Sequence, residues 1–150
     1  MSDANYILGI HDGHNCGASL CRDGKIVASV SEERLSRKKN EVGYPIKSIE
    51  EVLRIEGIDA KDLSEIAYAS LFMHQKSYLT ELEGWYCVGI DEQRADFAKP
   101  HEYQKVIFEQ RKAERIETAC NHLHVSHDKV FFVEHHLAHL TSAYFTAPKV

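Results

Sequence analysis

Short apolar runs of strand length alternate along the chain with stretches of helical periodicity. The Asp23-Gly24 dipeptide between two of these runs is a strong hairpin signal, because both residues tolerate the positive φ of a tight turn. The first run ends instead in a polar loop. The runs predicted as strands are residues 6–10, 17–21, 25–31, 65–70 and 130–133.

Helical periodicity is found in three segments. Residues 48–56 carry an apolar stripe between Ser48, which would form a capping box with Glu51, and Gly57, which would end the helix. Residues 102–123 fit one long helix. Strand alternating with helix predicts the α/β class. A closing helix after the last strand would bury an inward stripe: Leu137, Leu140, Thr141 and Tyr144.

Two further segments lack such a pattern. Residues 31–39 are densely charged and precede Gly43-Tyr44-Pro45, which favours a loop or short helix. Residues 71–100 show no sustained period and predict a variable insertion within the domain. Because the chain stops soon after a helix that leaves a strand, we expect residues 1–150 to be the front part of a longer domain.

Composition and charge narrow the class of protein. Hydrophobic residues make up 43% of the chain and charged residues 27%, as in ordinary globular domains. A net charge of −5 without a basic patch argues against a nucleic-acid partner. The chain has no apolar run of membrane-spanning length and no cysteine pattern of a disulfide framework. We therefore expect a cytoplasmic protein with reduced thiols.

The turn His11-Asp12-Gly13-His14-Asn15 is the first candidate site, because ligands of open α/β sheets bind beyond strand carboxyl ends. Gly13 would let a ligand approach the backbone, and Asp12 could hold a metal or orient His14. With its ordinary pKa near 6.5, His14 is a natural general base for a hydroxyl. The same residues could equally build a tight turn with solvated histidines.

His135 and His139 form the second candidate site, one helical turn apart at the start of the closing helix. This spacing stacks two imidazoles on one face, as in metal-binding helices. Chance alone yields about 0.6 such pairs from 10 histidines, so the strand-to-helix context carries the weight. Two imidazoles supply half of a four-ligand shell, and Glu134 or Asp12 could contribute. A capped helix start with a structural imidazole is the alternative.

The charged run Glu32-Glu33-Arg34 to Arg37-Lys38-Lys39 permits two interpretations. Its arginines could clamp an anionic substrate through bidentate contacts. A run of charges is more often a solvated face.

Three separated motifs occur in an order typical of one family. They are Ile7-Leu8-Gly9-Ile10 with His11 to His14, the charged run followed by Gly43-Tyr44-Pro45, and His135-His136-Leu137-Ala138-His139 through Phe145. Together they resemble the O-carbamoyltransferase family, whose members modify hydroxyls of antibiotics and nodulation factors. The similarity covers both ends of the chain and is nearly absent from residues 71–100.

The resemblance implies a fold and a reaction. The family's N-terminal catalytic domain resembles tRNA threonylcarbamoyl-transfer proteins and the actin, Hsp70 and sugar-kinase superfamily. The chain would be the first half of such an α/β domain, with a mixed sheet that starts with a β-hairpin and is flanked by helices. The implied activity is ATP-dependent transfer of a carbamoyl group from carbamoyl phosphate, through carbamoyl-adenylate, to a hydroxyl of a small molecule.

The resemblance also implies roles for individual residues. His135 and His139 would bind a metal, iron or alternatively zinc, that holds the carbamoyl-adenylate. His14 would be the general base on the acceptor hydroxyl, with Asp12 beside it in the phosphate-facing turn. The remaining substrate- or nucleotide-binding residues would be Gly13, Asn15, Glu33, Arg34, Arg37 and Lys39.

The resemblance also implies parts that residues 1–150 do not contain. The second half of the fold and a separate adenylate-forming domain have no counterpart in residues 1–150, so this part alone is expected to be inactive.

Transfer of threonylcarbamoyl to tRNA is an alternative that the acidic charge disfavours. Sugar-kinase-type phosphotransfer is disfavoured by His14, which stands where a small hydroxyl residue would be expected. A non-catalytic scaffold is the third alternative.

Overall fold

The computed structural model describes residues 4–69 and 101–147, apart from the side chains at positions 101–108, 135, 136 and 146. The insertion predicted at 71–100 lies outside the described residues. The regular elements, in chain order, are β1 (Tyr6–His11), β2 (Gly17–Arg22), β3 (Lys25–Ser31), α1 (Glu32–Ser36), α2 (Ile46–Glu56), β4 (Leu63–Tyr68), α3 (His101–Leu123), β5 (Val130–Phe132) and α4 (His135–Thr146).

The strands form one mixed sheet in the order β3-β2-β1-β4-β5. β2 pairs antiparallel with both β1 and β3, whereas β4 runs parallel to β1 and β5. The β2–β3 turn has φ of +50° at Asp23 and +78° at Gly24, the combination that a type I′ hairpin requires. The predicted hairpin and the predicted α/β class with a mixed sheet are therefore confirmed.

The core lies on one face of the sheet, against α2 and α3. Because side chains alternate along a strand, positions 9 and 11 of β1 belong to the opposite face. Burial of the apolar side chains on the core face is the main force that stabilises the fold. The core residues are Leu8, Ile10, Ala18, Leu20, Ile66 and Tyr68 from the strands, and Ile49, Val52, Ala119 and Leu123 from the helices.

The carboxyl ends of the three parallel strands meet at one edge of the sheet. The Ala69 amide after β4 donates to the Ile10 carbonyl oxygen at 2.9 Å, and the Val133 amide after β5 donates to the Tyr68 carbonyl oxygen at 2.8 Å. The turn that follows β1 and the helix that follows β5 therefore leave the sheet at the same edge. These are the two segments on which the sequence places its candidate chemistry.

The start of α2 differs from the prediction, and the proposed capping box is wrong. Pro45 is the N-cap residue, so Ser48 lies inside the first turn, where it is buried. The Ser48 amide and hydroxyl both donate to the Glu32 carboxylate at 2.7 Å. A residue of the neighbouring helix α1 thus satisfies this helix end instead of Glu51. Gly57 ends the helix with φ +72°, as predicted.

The apolar side chains of α4 are not covered by the described chain, so the predicted inward stripe is wrong for three of its four members. Leu137, Leu140 and Tyr144 are 49%, 68% and 75% exposed. Thr141 is half-buried, and its hydroxyl donates to the Leu137 carbonyl oxygen at 2.8 Å. Helical spacing indicates an apolar surface without saying what packs against it. Phe131 of β5 is exposed too, so this strand is only partly buried.

The other predicted elements are confirmed, with bounds that differ by two residues or fewer. The charged segment forms the short helix α1 rather than a loop. Cys16, Cys21 and Cys120, the cysteines that the structure describes, are free thiols. Among the described helices, none is long and apolar enough to cross a bilayer.

Candidate functional site

The turn between β1 and β2 (the β1–β2 turn, positions 11–16) is held by the segment that precedes α2. The Gly43 amide donates to the Asp12 carbonyl oxygen at 3.1 Å, and the Cys16 amide donates to a carbonyl oxygen two residues before Gly43 at 3.0 Å. His14 forms an isolated antiparallel bridge with the same segment. The segment before α2 therefore contacts the turn at positions 12, 14 and 16.

Asp12 faces the core side of the sheet and forms a buried ion pair with Arg115 of α3. Arg115 Nε donates to one carboxylate oxygen at 2.7 Å and Nη2 donates to the other at 2.9 Å. Both residues are 8% exposed. The guanidinium carbon lies 4.4 Å from the ring centroid of Tyr68 and 4.8 Å from that of Phe132. Both oxygens of Asp12 are therefore occupied within the chain.

The two histidines of the turn lie next to each other. Their ring centroids are 6.0 Å apart and their ring planes meet at 82°. His11 Nε2 lies 3.0 Å from the His14 carbonyl oxygen. Asn15 follows at the exposed tip with φ +53°, and Gly13 is buried. The contact between the His11 ring and the His14 backbone thus stabilises the turn.

A cavity of about 310 Å³ lies beside this turn. It opens on the sheet face opposite to the core, where Gly9 of β1 pairs with Ser19, and Ser19 with Ser29. A Cβ at Gly9 would lie 2.7 Å from Ser19 Oγ, so glycine at this position leaves room for the Ser19 side chain. The volume suits a small molecule or part of one. Its lining includes Gly9, His11, Asn15, Ser19, Ser29 and Ser31.

The charged segment separates into inward and outward residues. The buried Glu32 carboxylate accepts hydrogen bonds from the start of α2, so its role is structural. Glu33 accepts the Asn40 amide at 3.1 Å and closes the loop after α1. Three of the predicted binding residues, Arg34, Arg37 and Lys39, are exposed.

The second candidate cluster begins directly after β5. The Glu134 carboxylate accepts the Leu137 amide at 2.9 Å and caps α4. His135 is the first residue of the helix and His139 follows one turn later, so both lie on one helical face. His139 is exposed. The side chain at position 135 lies outside the described residues.

This donor set fits part of a metal site. Imidazoles at this spacing suit iron and zinc alike. Among the described residues, no three potential ligands are grouped closely enough to hold an ion. Asp12, which the sequence offered as a further ligand, has both oxygens paired with Arg115. A complete shell would need ligands from outside the described residues.

Comparison with known proteins identifies the family. The family model described as the carbamoyltransferase N-terminus matches residues 6–150. The chain belongs to this family. The nodulation protein NolNO of Sinorhizobium fredii is 31% identical over 90% of this chain and 17% of its own length. An uncharacterised protein of Synechocystis is 30% identical over 95% of this chain and 23% of its own. The resemblance predicted from the three motifs is therefore confirmed.

A third relative matches more locally. An uncharacterised protein of Methanocaldococcus jannaschii is 51% identical over 47 residues, which are 31% of this chain and 9% of that protein. The chain spans less than a quarter of the length of each of these three relatives.

Cys16, at the end of the β1–β2 turn in this family member, is a buried thiol. Burial, followed by the negative charges of Glu32, Glu41 and Asp12, raises the pKa of Cys16 to about 12. A thiol with so high a pKa is a poor nucleophile at neutral pH. Cys16 is 1% exposed and therefore contributes packing beside the turn.

Arg115 is the site residue that the sequence analysis missed. It lies four residues before Ala119 and eight before Leu123, so all three share the buried face of α3. A charged residue on an otherwise apolar stripe signals a buried ion pair. That signal was available in the sequence, but the partner, 103 residues away, was not.

Proposed function

We propose that residues 1–150 are the N-terminal portion of the catalytic domain of an ATP-dependent O-carbamoyltransferase, with residues 71–100 as a variable insertion. The enzyme would take its carbamoyl group from carbamoyl phosphate, through a carbamoyl-adenylate made by a separate adenylate-forming domain. The acceptor would be a hydroxyl of a small molecule, a natural product or a sugar. We place the enzyme in the cytoplasm, with neither nucleic acid nor membrane as partner.

The family match over residues 6–150 is the observation that carries this proposal. The geometry supports it, because the β1–β2 turn and the start of α4 leave the sheet at one edge. Ligands of open α/β sheets bind at such an edge. The nodulation protein NolNO, among the relatives, favours an acceptor of the kind that nodulation requires.

His14 is the proposed general base. Its imidazole would take the proton of the acceptor hydroxyl as the hydroxyl oxygen attacks the carbamoyl carbon. The bond from that carbon to the adenylate phosphate oxygen then breaks, and AMP leaves with the electron pair. The edge-on contact with His11 would limit rotation of the His14 ring. We propose the cavity beside His11 as the place for part of a bound substrate.

His135 and His139 are the proposed metal ligands, with iron or zinc as the ion. A bound metal would supply Lewis acid polarisation of the carbamoyl group. Gly13, Asn15, Glu33, Arg34, Arg37 and Lys39 are the proposed substrate- and nucleotide-binding residues.

The test of His14 is a transfer assay with the complete natural chain that contains these residues. Carbamoyl phosphate, ATP and a panel of hydroxyl acceptors are supplied, and product is followed by mass spectrometry. ATP–pyrophosphate exchange reports adenylate formation separately. His14→Ala should lower transfer about 100-fold or more and leave the exchange unchanged. His127→Ala is the control, since His127 is 61% exposed and pairs with Glu117.

The outcomes separate the alternative functions. Loss of transfer in His14→Ala, with normal transfer in His127→Ala and unchanged exchange in both, supports the proposal. Transfer of a threonylcarbamoyl group to tRNA by the wild type would favour the tRNA alternative. No transfer to any acceptor and no exchange would leave the scaffold interpretation.

The metal is tested by elemental mass spectrometry of the purified complete chain, dialysed without chelator. We expect about one iron or zinc per chain, lost in both His135→Ala and His139→Ala and kept in His127→Ala. Metal retained in both substituted proteins would contradict the assignment.

A further inference from the structure

Arg115 connects all three parallel strands at the edge where the candidate site lies. Its guanidinium binds Asp12, which follows β1, and lies over Tyr68 and Phe132, the last residues of β4 and β5. Tyr68 also donates its hydroxyl to the Arg115 carbonyl oxygen at 3.0 Å. The Arg115 side chain therefore contacts one residue of the β1–β2 turn and the last residue of each of the strands β4 and β5.

The Asp12 carboxylate is not placed to react. Both of its oxygens accept hydrogen bonds from the rigid fork of Arg115, on the core side of the sheet. His11, one residue earlier, lines the cavity on the opposite face. To act on a substrate in the cavity, the Asp12 carboxylate would have to break its ion pair with Arg115 and turn to the opposite face.

We infer that Asp12 and Arg115 form a positioning pair, which sets the distance between the His14 turn and the start of α4, and that Asp12 is not a catalytic residue. The inference rests on the proposed function, because it assigns these two residues within that site. A buried bidentate pair has one well-defined geometry, so it holds the β1–β2 turn against β4 and β5. Such placement matters, since a misplacement of about 1 Å can cost about 100-fold in rate.

The experiment is a double-mutant cycle in the complete natural chain. The variants are Asp12→Asn, Arg115→Gln and the double mutant, with Arg115→Lys as the conservative variant. Arg54→Gln is the matched control, because Arg54 makes a similar bidentate pair with Glu51 at 2.7 Å but on the surface. Carbamoyl transfer, ATP–pyrophosphate exchange and thermal unfolding are measured for each.

A positioning pair predicts a defined pattern. Both single mutants should lower kcat of transfer about 10- to 100-fold, and the double mutant should be no worse than the more affected single mutant. The pH dependence of kcat/KM should keep its wild-type pKa values, exchange should be unchanged, and Arg115→Lys should recover part of kcat. Arg54→Gln should behave as the wild type.

Two results would overturn the inference. Loss of transfer in Asp12→Asn with near-normal kcat in Arg115→Gln would make Asp12 catalytic. A lower unfolding temperature with unchanged kcat per folded molecule would make the pair merely structural.

Failure of the proposed function is distinguished by hydrogen exchange, which needs no activity. If the wild type transfers no carbamoyl group, the amides of Gly43 and Val133 still report on the two segments that the pair holds. Both should exchange faster in Arg115→Gln, or in Arg115→Lys if the former does not fold, and not in Arg54→Gln. Unchanged exchange at both amides would overturn the inference.

Discussion

The β1–β2 turn and helix α4 leave the same edge of the sheet, yet the described chain supports them to very different degrees. The turn is bonded to the 41–43 segment and to Arg115 of α3. α4 is tied at its start, where Glu134 caps it, and then exposes Leu140 and Phe145 by 68% and 77%.

This difference indicates how the site is divided. The proposed general base, His14, lies in the β1–β2 turn, which the 41–43 segment and Arg115 hold in place. The proposed metal ligands begin a helix whose apolar face has no covering element among the described residues. A large exposed apolar surface usually marks an interaction site. The two halves of the site therefore differ in what they need for their final position.

The largest difference between the two regions should appear on truncating leucines. Leu20→Ala in the core should reduce the free energy of unfolding by about 3 kcal/mol, because it leaves a cavity at a residue that is 0% exposed. Leu140→Ala in α4 should change it by less than about 0.5 kcal/mol. Urea denaturation followed by circular dichroism measures both. Comparable losses would mean that α4 is packed in solution and would remove the contrast.

Glu32 gives the next largest effect. Its carboxylate accepts two amides and the Ser48 hydroxyl at the start of α2. Glu32→Gln replaces one acceptor oxygen by a donor, which faces donors in a buried site, so we expect a loss of about 2 kcal/mol. Ser48→Ala in the Glu32→Gln background should cost little more, because both residues belong to one network. Additive losses in urea denaturation would argue against that network.

The pH dependence of stability should show the buried thiol beside the turn. Burial raises the pKa of Cys16 to about 12, so the folded state holds its proton more tightly than the unfolded chain. Its contribution is fully present below the unfolded pKa, near 8.5, and is lost as pH rises through about 12. Between pH 7 and 10 the wild type should lose about 2 kcal/mol more than Cys16→Ala. Parallel pH profiles would show that the thiol is not buried in solution.

The smallest effect is expected at the cap of α4. Glu134 accepts the Leu137 amide at an exposed helix start. Glu134→Gln keeps an acceptor oxygen and removes a charge that interacts with the helix dipole, so the loss should be about 0.5 kcal/mol. High salt should reduce the difference between the two proteins, whereas the loss in Glu32→Gln should persist. A salt-independent loss would indicate that this carboxylate is buried by a partner.

Local features of the fold were predictable because they depend on neighbouring residues. Asp23-Gly24 adopts the positive φ angles that its hairpin requires, and Gly57 ends α2 in a left-handed conformation. Within β1 burial alternates, because Leu8 and Ile10 face the core. The capping box at Ser48 failed because its pattern ignores acceptors from elsewhere in the chain, and Glu32 was such an acceptor.

The candidate site was predictable in position and not in contacts. Sequence alone determined which segments follow strands, that His14 lies in a turn and that His135 and His139 share a helical face, since each depends on short-range geometry. Only the tertiary structure decided that Asp12 pairs with an arginine 103 residues away and that the described residues leave the apolar face of α4 uncovered. An ion pair between distant residues exists only after the sheet order brings their elements together, and periodicity marks a surface without specifying its partner.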